Sequence, residues 1–218
     1  MKITRYAHSC LLIEVMDQRI LVDPGVYNYD ESWLETDWQD INIILLTHKH
    51  QDHCHLPALK HLAEKGAKIY STKEVQETYS ELKMNIIKEG EVLNISKKLK
   101  ITVTKALHGY FPGMPGTNLK ECVGYIIDDG KKAYVTGDTI SFPNNYQCDI
   151  IFLPMNNHGI VLGPEEGAIF AKESGASIIC PIHGESEKFP TDWKKVKMEL
   201  EKNGLNYKIL KLKESLEI

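Results

Sequence analysis

Thr47-His48-Lys49-His50-Gln51-Asp52-His53 packs three histidines and a carboxylate into one short stretch. Neutral imidazoles and carboxylates are ligands for divalent cations, so the chemistry on offer is metal binding. The stretch follows Ile41-Asn42-Ile43-Ile44-Leu45-Leu46, a β-branched apolar run that reads as a buried strand. Side chains alternate faces along an extended chain, so His48 and His50 should point the same way and grip one ion. A turn then brings Asp52 and His53 to face a neighbouring position. One strand end thus presents two half-sites.

Three further candidates stand at the ends of later apolar or alternating runs: His108 after residues 99–106, Asp138 after Lys132 to Val135, and His183 after Ala176 to Cys180. Ends of strands that run the same way gather on one sheet edge, so these residues can converge. The positioning elements follow from pattern. Ile3 to Ala7, Cys10 to Val15 and Ile20 to Val22 read as antiparallel strands with short turns, closed by Asp23-Pro24-Gly25. Residues 56–65 have helical spacing, with Pro57 in the first turn and Gly66 as the stop. Thr72 is the expected N-cap of a second helix over 73–82. Strands follow near 85–87, 91–95, 99–106, 122–127, 132–135, 149–153 and 176–180. Helices are expected over 164–173 and 191–202, and a last strand over 207–212. Val26 to Asp40, with Tyr27, Tyr29, Trp33 and Trp38, is either an aromatic cover on the sheet or a functional loop. Residues 107–118 hold several glycines and prolines and cannot be regular structure.

The chain has 218 residues, enough for one sizeable core, and a single domain over 1–218 is expected. Its formal net charge is −4, which leaves no basic footprint for a nucleic-acid partner. Five scattered cysteines without a C-x-x-C pair argue against a disulfide framework and for a reducing compartment. No apolar run approaches a membrane span, and the opening Met1-Lys2-Ile3-Thr4-Arg5-Tyr6 has no secretion signal, so a cytoplasmic location is expected.

The run His48–His53, the later His108, Thr136-Gly137-Asp138 and the strand-end His183 together resemble the metallo-β-lactamase superfamily. Asp23 in its Asp-x-Gly turn resembles the same pattern. The opening Tyr6-Ala7-His8-Ser9-Cys10 looks most like the branch of ascorbate-6-phosphate-lactonase-type and related metal-dependent hydrolases. The resemblance implies an α/β protein, an αββα four-layer sandwich. It implies a first metal on His48, His50 and His108, a second on Asp52, His53 and His183, and Asp138 bridging the two. The cofactors would be two divalent ions, zinc or manganese foremost, with iron as the third choice. A metal-bridged hydroxide would attack a small, anionic ester, lactone or phosphoester. His50 stands where the di-iron redox branch carries glutamate, which points away from redox chemistry. The positions of Asp52 and Asp138 carry no cysteine, unlike one subclass of antibiotic-hydrolysing enzymes.

Around this core, Asp52 and His8 are the catalytic candidates, His8 as a proton donor or substrate contact. Asp23 is expected to hold the metal loop by accepting hydrogen bonds. Tyr110, in a loop over 109–116 that could close as a lid, and Asn157 and His158 are substrate-contact candidates. Cys54 reads as a packed thiol, and His55 and His61 belong with the following helix. The competing functions are a phosphodiesterase or nuclease on the same core and a non-catalytic metal-binding protein. The expected partner is a small-molecule substrate.

Overall fold

The computed structural model describes residues 1–113, 118–156 and 159–218. The chain forms two compact units: Met1–Ile87 with Leu210–Glu217, and Lys88–Ile209 with Ile218.

The first unit is built on a seven-stranded mixed sheet. Its strands are β1 (Lys2–Arg5), β2 (Leu11–Val15), β3 (Gln18–Val22), β4 (Ile43–Leu45), β5 (Lys68–Ser71), β6 (Met84–Ile86) and, from the far end of the chain, β13 (Ser215–Glu217). They lie in the order β13-β1-β2-β3-β4-β5-β6. β1, β2 and β3 pair antiparallel, as short connections allow, and β3 to β6 pair parallel. β4 is buried at every residue, as a central parallel strand must be, which explains its unbroken apolar run.

Helix α1 (Leu56–Glu64) turns Ala58, Leu59 and Leu62 inward and ends before Gly66, whose φ of +103° only glycine adopts freely. Helix α2 (Lys73–Thr78) is shorter than its sequence pattern. Thr72 stands at its N-cap position, with no capping bond from its side chain. The 26–40 segment is an aromatic cover: Trp33 and Trp38 are buried, with Tyr6 edge-on to both at 4.9 and 5.4 Å between centroids.

The second unit carries a six-stranded mixed sheet. Its strands are β7 (Val92–Asn94), β8 (Lys100–Lys105), β9 (Val123–Asp128), β10 (Lys132–Val135), β11 (Ile150–Pro154) and β12 (Ile178–Ile182), in the order β12-β11-β10-β9-β8-β7. The turn from β9 to β10 uses Gly130 at φ +107°, with the Gly130 N–H donating to Asp128 at 2.9 Å. Helices α3 (Pro164–Glu173) and α4 (Trp193–Lys202) bury Ala168, Phe170, Val196 and Leu200 in a core with Tyr134, Ile151 and Leu153.

One expected element is elsewhere. Residues 207–212 form no strand, and only Tyr207 bridges to Ile179. The last strand is β13, which pairs with β1. Its only buried residue is Leu216, so it carries little apolar pattern to read. No helix among the described residues is long and apolar enough to cross a membrane.

Candidate metal centre

Strand direction explains why the first unit's candidates gather. β1 and β3 are both antiparallel to β2, and β4 is parallel to β3, so all three run the same way. His8, Asp23 and the 47–53 stretch follow the C-terminal ends of these three strands and therefore share one sheet edge. His8 and Asp23 have φ of +58° and +46°, a region that non-glycine residues enter at a cost of about 1–3 kcal/mol. Such strain persists only where the surroundings hold it.

At Asp23 those surroundings are plain. Its side chain is fully buried. Oδ1 accepts from the Thr47 N–H at 2.8 Å, and Oδ2 accepts from the Thr47 hydroxyl at 2.7 Å and from His53 Nδ1 at 2.8 Å. The turn itself lies against the loop, because a side chain on Gly25 would stand 1.7 Å from the Asp52 carbonyl oxygen. Thr47, having donated its proton to Asp23, accepts from His48 Nδ1 at 3.0 Å.

The strand ends at Leu45, and the chain bends at 48–49 before a turn over 51–53. His48 and His50 converge through this bend, with His48 Nε2 3.1 Å from His50 Nδ1. Ligand atoms of His8, Asp52 and His53 lie within 4.8 Å of one another. His8, buried, has Nε2 3.2 Å from Asp52 Oδ2, and its ring lies 4.6 Å from that of Tyr27. Cys54 is buried and donates to the His48 carbonyl at 3.2 Å. Burial first, then Asp23 and Asp52, push its thiol well up. His55 is the N-cap residue of α1, its ring tilted against that of Tyr29 with centroids 4.2 Å apart, and burial lowers its pKa. His61 lies in α1, 3.5 Å from Glu35.

The second unit repeats the logic. β8 and β10 are both antiparallel to β9, and β10, β11 and β12 are parallel. His108, Asp138 and His183 thus leave one edge. The Leu107 N–H donates to Thr139 Oγ1 at 3.1 Å and the Ile140 N–H to the Leu107 carbonyl at 2.7 Å, which ties the His108 segment to the Asp138 segment. Asp138 Oδ2 then lies 3.2 Å from His183 Nε2 and 3.7 Å from His108 Nε2, and all three residues are buried. His108 Nδ1 donates to the Gly109 carbonyl at 2.8 Å. His183 has φ +69°, a third strained site residue.

These contacts bear on whether the residues suit a metal. In His48, His53 and His108 the Nδ1 is held by an oxygen of the chain, which selects the tautomer that presents Nε2 as the ligand nitrogen. That arrangement, with carboxylates and no thiolate among the donors, fits a divalent ion of the zinc or manganese kind. Tyr110 and Phe111 are exposed. Asn157 and His158, and residues 114–116 of the 109–116 loop, lie outside the described residues.

Two mixed sheets, each with its own helices and each gathering histidine and aspartate on one edge, define the metallo-β-lactamase fold. The family described as the β-lactamase superfamily domain matches residues 2–183, and the chain belongs to it. Over 228 residues it is 29% identical to a UPF0173 metal-dependent hydrolase of Korarchaeum cryptofilum, with 97% of this chain and 96% of the relative covered. A UPF0173 metal-dependent hydrolase of Methanosphaera stadtmanae is 30% identical over 202 residues, covering 84% and 83%. The solved structure of Igni18, a metallo hydrolase of Ignicoccus hospitalis, is similar with a TM-score of 0.80 at 24% identity, over 99% of this chain and 97% of that one. At that identity the likeness speaks for the fold.

Proposed function

We propose that this metal-dependent hydrolase of the metallo-β-lactamase superfamily uses two divalent ions, zinc or manganese, to hydrolyse a small anionic ester, lactone or phosphoester. His48, His50 and His108 would hold one ion and Asp52, His53 and His183 the other, with Asp138 shared. The observation that carries the reading is the triple of Nδ1 atoms, on His48, His53 and His108, each anchored to oxygen. Bound divalent ions supply Lewis acidity, which acidifies water and draws charge from the group under attack.

The chain's own residues do the rest. Asp23 fixes the ring of His53 and, through Thr47, that of His48. His8, with Nε2 3.2 Å from Asp52 Oδ2, stands where it can contact the substrate or serve as the proton donor to a leaving group. Two aspartates offset only part of the charge of two divalent ions, so the centre favours an anionic substrate. The substrate we propose is a small molecule, without a nucleic-acid partner. Five free cysteines support a cytoplasmic setting.

A substrate panel after chelation and remetallation tests this. Chelated protein should be inert, and zinc or manganese should restore turnover of lactones, esters or phosphoesters. Turnover of RNA or cyclic phosphodiesters alone would replace the substrate assignment. No turnover of any class by the metal-loaded protein would remove the enzymatic reading.

A further inference from the structure

The metal loop is gripped on a second side, by residues that no motif marks. Asp23 holds it from β3. From the β5–α2 side, three side chains reach the same few residues. Ser71 Oγ donates to the Leu46 carbonyl at 3.0 Å. Tyr79 Oη donates to the Lys49 carbonyl at 2.9 Å. Glu74 Oε1 accepts from Lys49 Nζ at 2.7 Å. Lys49 is the residue between His48 and His50, so two of the three grips fall between the paired ligands. Burial, first, and the nearby Cys54 and Asp52 raise the Tyr79 phenol, so it stays a donor through the neutral range. Gln76 stiffens the grip from behind, donating to the Leu82 carbonyl at 2.7 Å and accepting from the Met84 N–H at 2.9 Å.

We infer that Glu74 and Tyr79 are positioning residues that set the affinity of the His48/His50 pair for its metal. The inference rests on the metal-binding reading above. Tyr79 fixes the peptide that joins the two ligands. Glu74 acts on charge as well as position. The Lys49 ammonium is carried by the residue flanked by both ligands, and unpaired it would repel a divalent ion. Glu74, largely buried, draws it aside and neutralises it.

The test is the zinc dissociation constant, read by competition with a chromophoric chelator, on folded protein at several ionic strengths. Glu74→Gln and Tyr79→Phe should each weaken zinc about tenfold, the low end for partners that orient a metal ligand. The Glu74→Gln deficit should shrink with added salt. It should also shrink when Lys49→Met is added, because the uncompensated cation is then gone. A purely structural role for Glu74 would show neither the salt response nor the rescue. Wild-type affinity in both single variants overturns the inference while leaving the metal centre standing. A wild-type protein that takes up no zinc overturns the metal-binding reading, and the inference with it.

Discussion

Replacing Asp23 with alanine is expected to cost roughly 3 kcal/mol or more of stability in the metal-free protein, at about 1 kcal/mol or more for each buried donor left without its acceptor. Three donors lose their partner at once: the Thr47 N–H, the Thr47 hydroxyl and His53 Nδ1. The site is fully buried, so water cannot readily replace the carboxylate. Asp23→Asn should cost less. Its carbonyl oxygen still accepts from the Thr47 N–H, and asparagine tolerates the φ of +46° better than most residues. Its amide cannot accept from the hydroxyl or the imidazole, so the ring of His53 should lose its anchor while the fold survives. Urea denaturation of the two variants separates these effects. A loss below about 1 kcal/mol for Asp23→Ala would contradict the assignment.

The second large effect is on turnover. Asp138→Ala should lower kcat/KM by about a thousandfold or more, since even partners that only orient a ligand cost about 10–100-fold. Asp138 Oδ2 lies against His183 Nε2 and His108 Nε2, so its carboxylate is where this unit concentrates negative charge among imidazoles. Asp138→Asn keeps the shape and removes the charge, and it should fall nearly as far. Steady-state kinetics on whichever substrate the panel identifies is the measurement. An Asp138→Asn enzyme within tenfold of wild type would show that the charge is not used.

Much of this was legible in the residues, because the fold writes its site into a repeated grammar of apolar strand followed by histidine or aspartate. β4, with Ile43, Ile44 and Leu45, announces itself by its lack of alternation, and α3 by Pro164 at its start. The clamp of Glu74 and Tyr79 on Lys49 was not legible, since contacts 25 and 30 residues apart leave no local periodicity. Nor were the left-handed conformations of His8, Asp23 and His183, because none of them is glycine. Strand alternation predicts the convergence of His48 and His50, yet it is reached by a bend. β13 escaped because a three-residue strand with one buried side chain pairs with β1 from the other end of the chain. The 207–212 run, rich in Ile209, Leu210 and Leu212, drew the expectation instead, though of these only Leu210 is buried.

The central claim is that two sets of strand-end ligands serve two ions. Metal content per chain tests it most directly. Protein stripped with chelator, reloaded with zinc or manganese and passed over a desalting column should carry close to two ions per chain by mass spectrometry of the metal. Uptake of one ion or none, under conditions where the protein is folded, would contradict it.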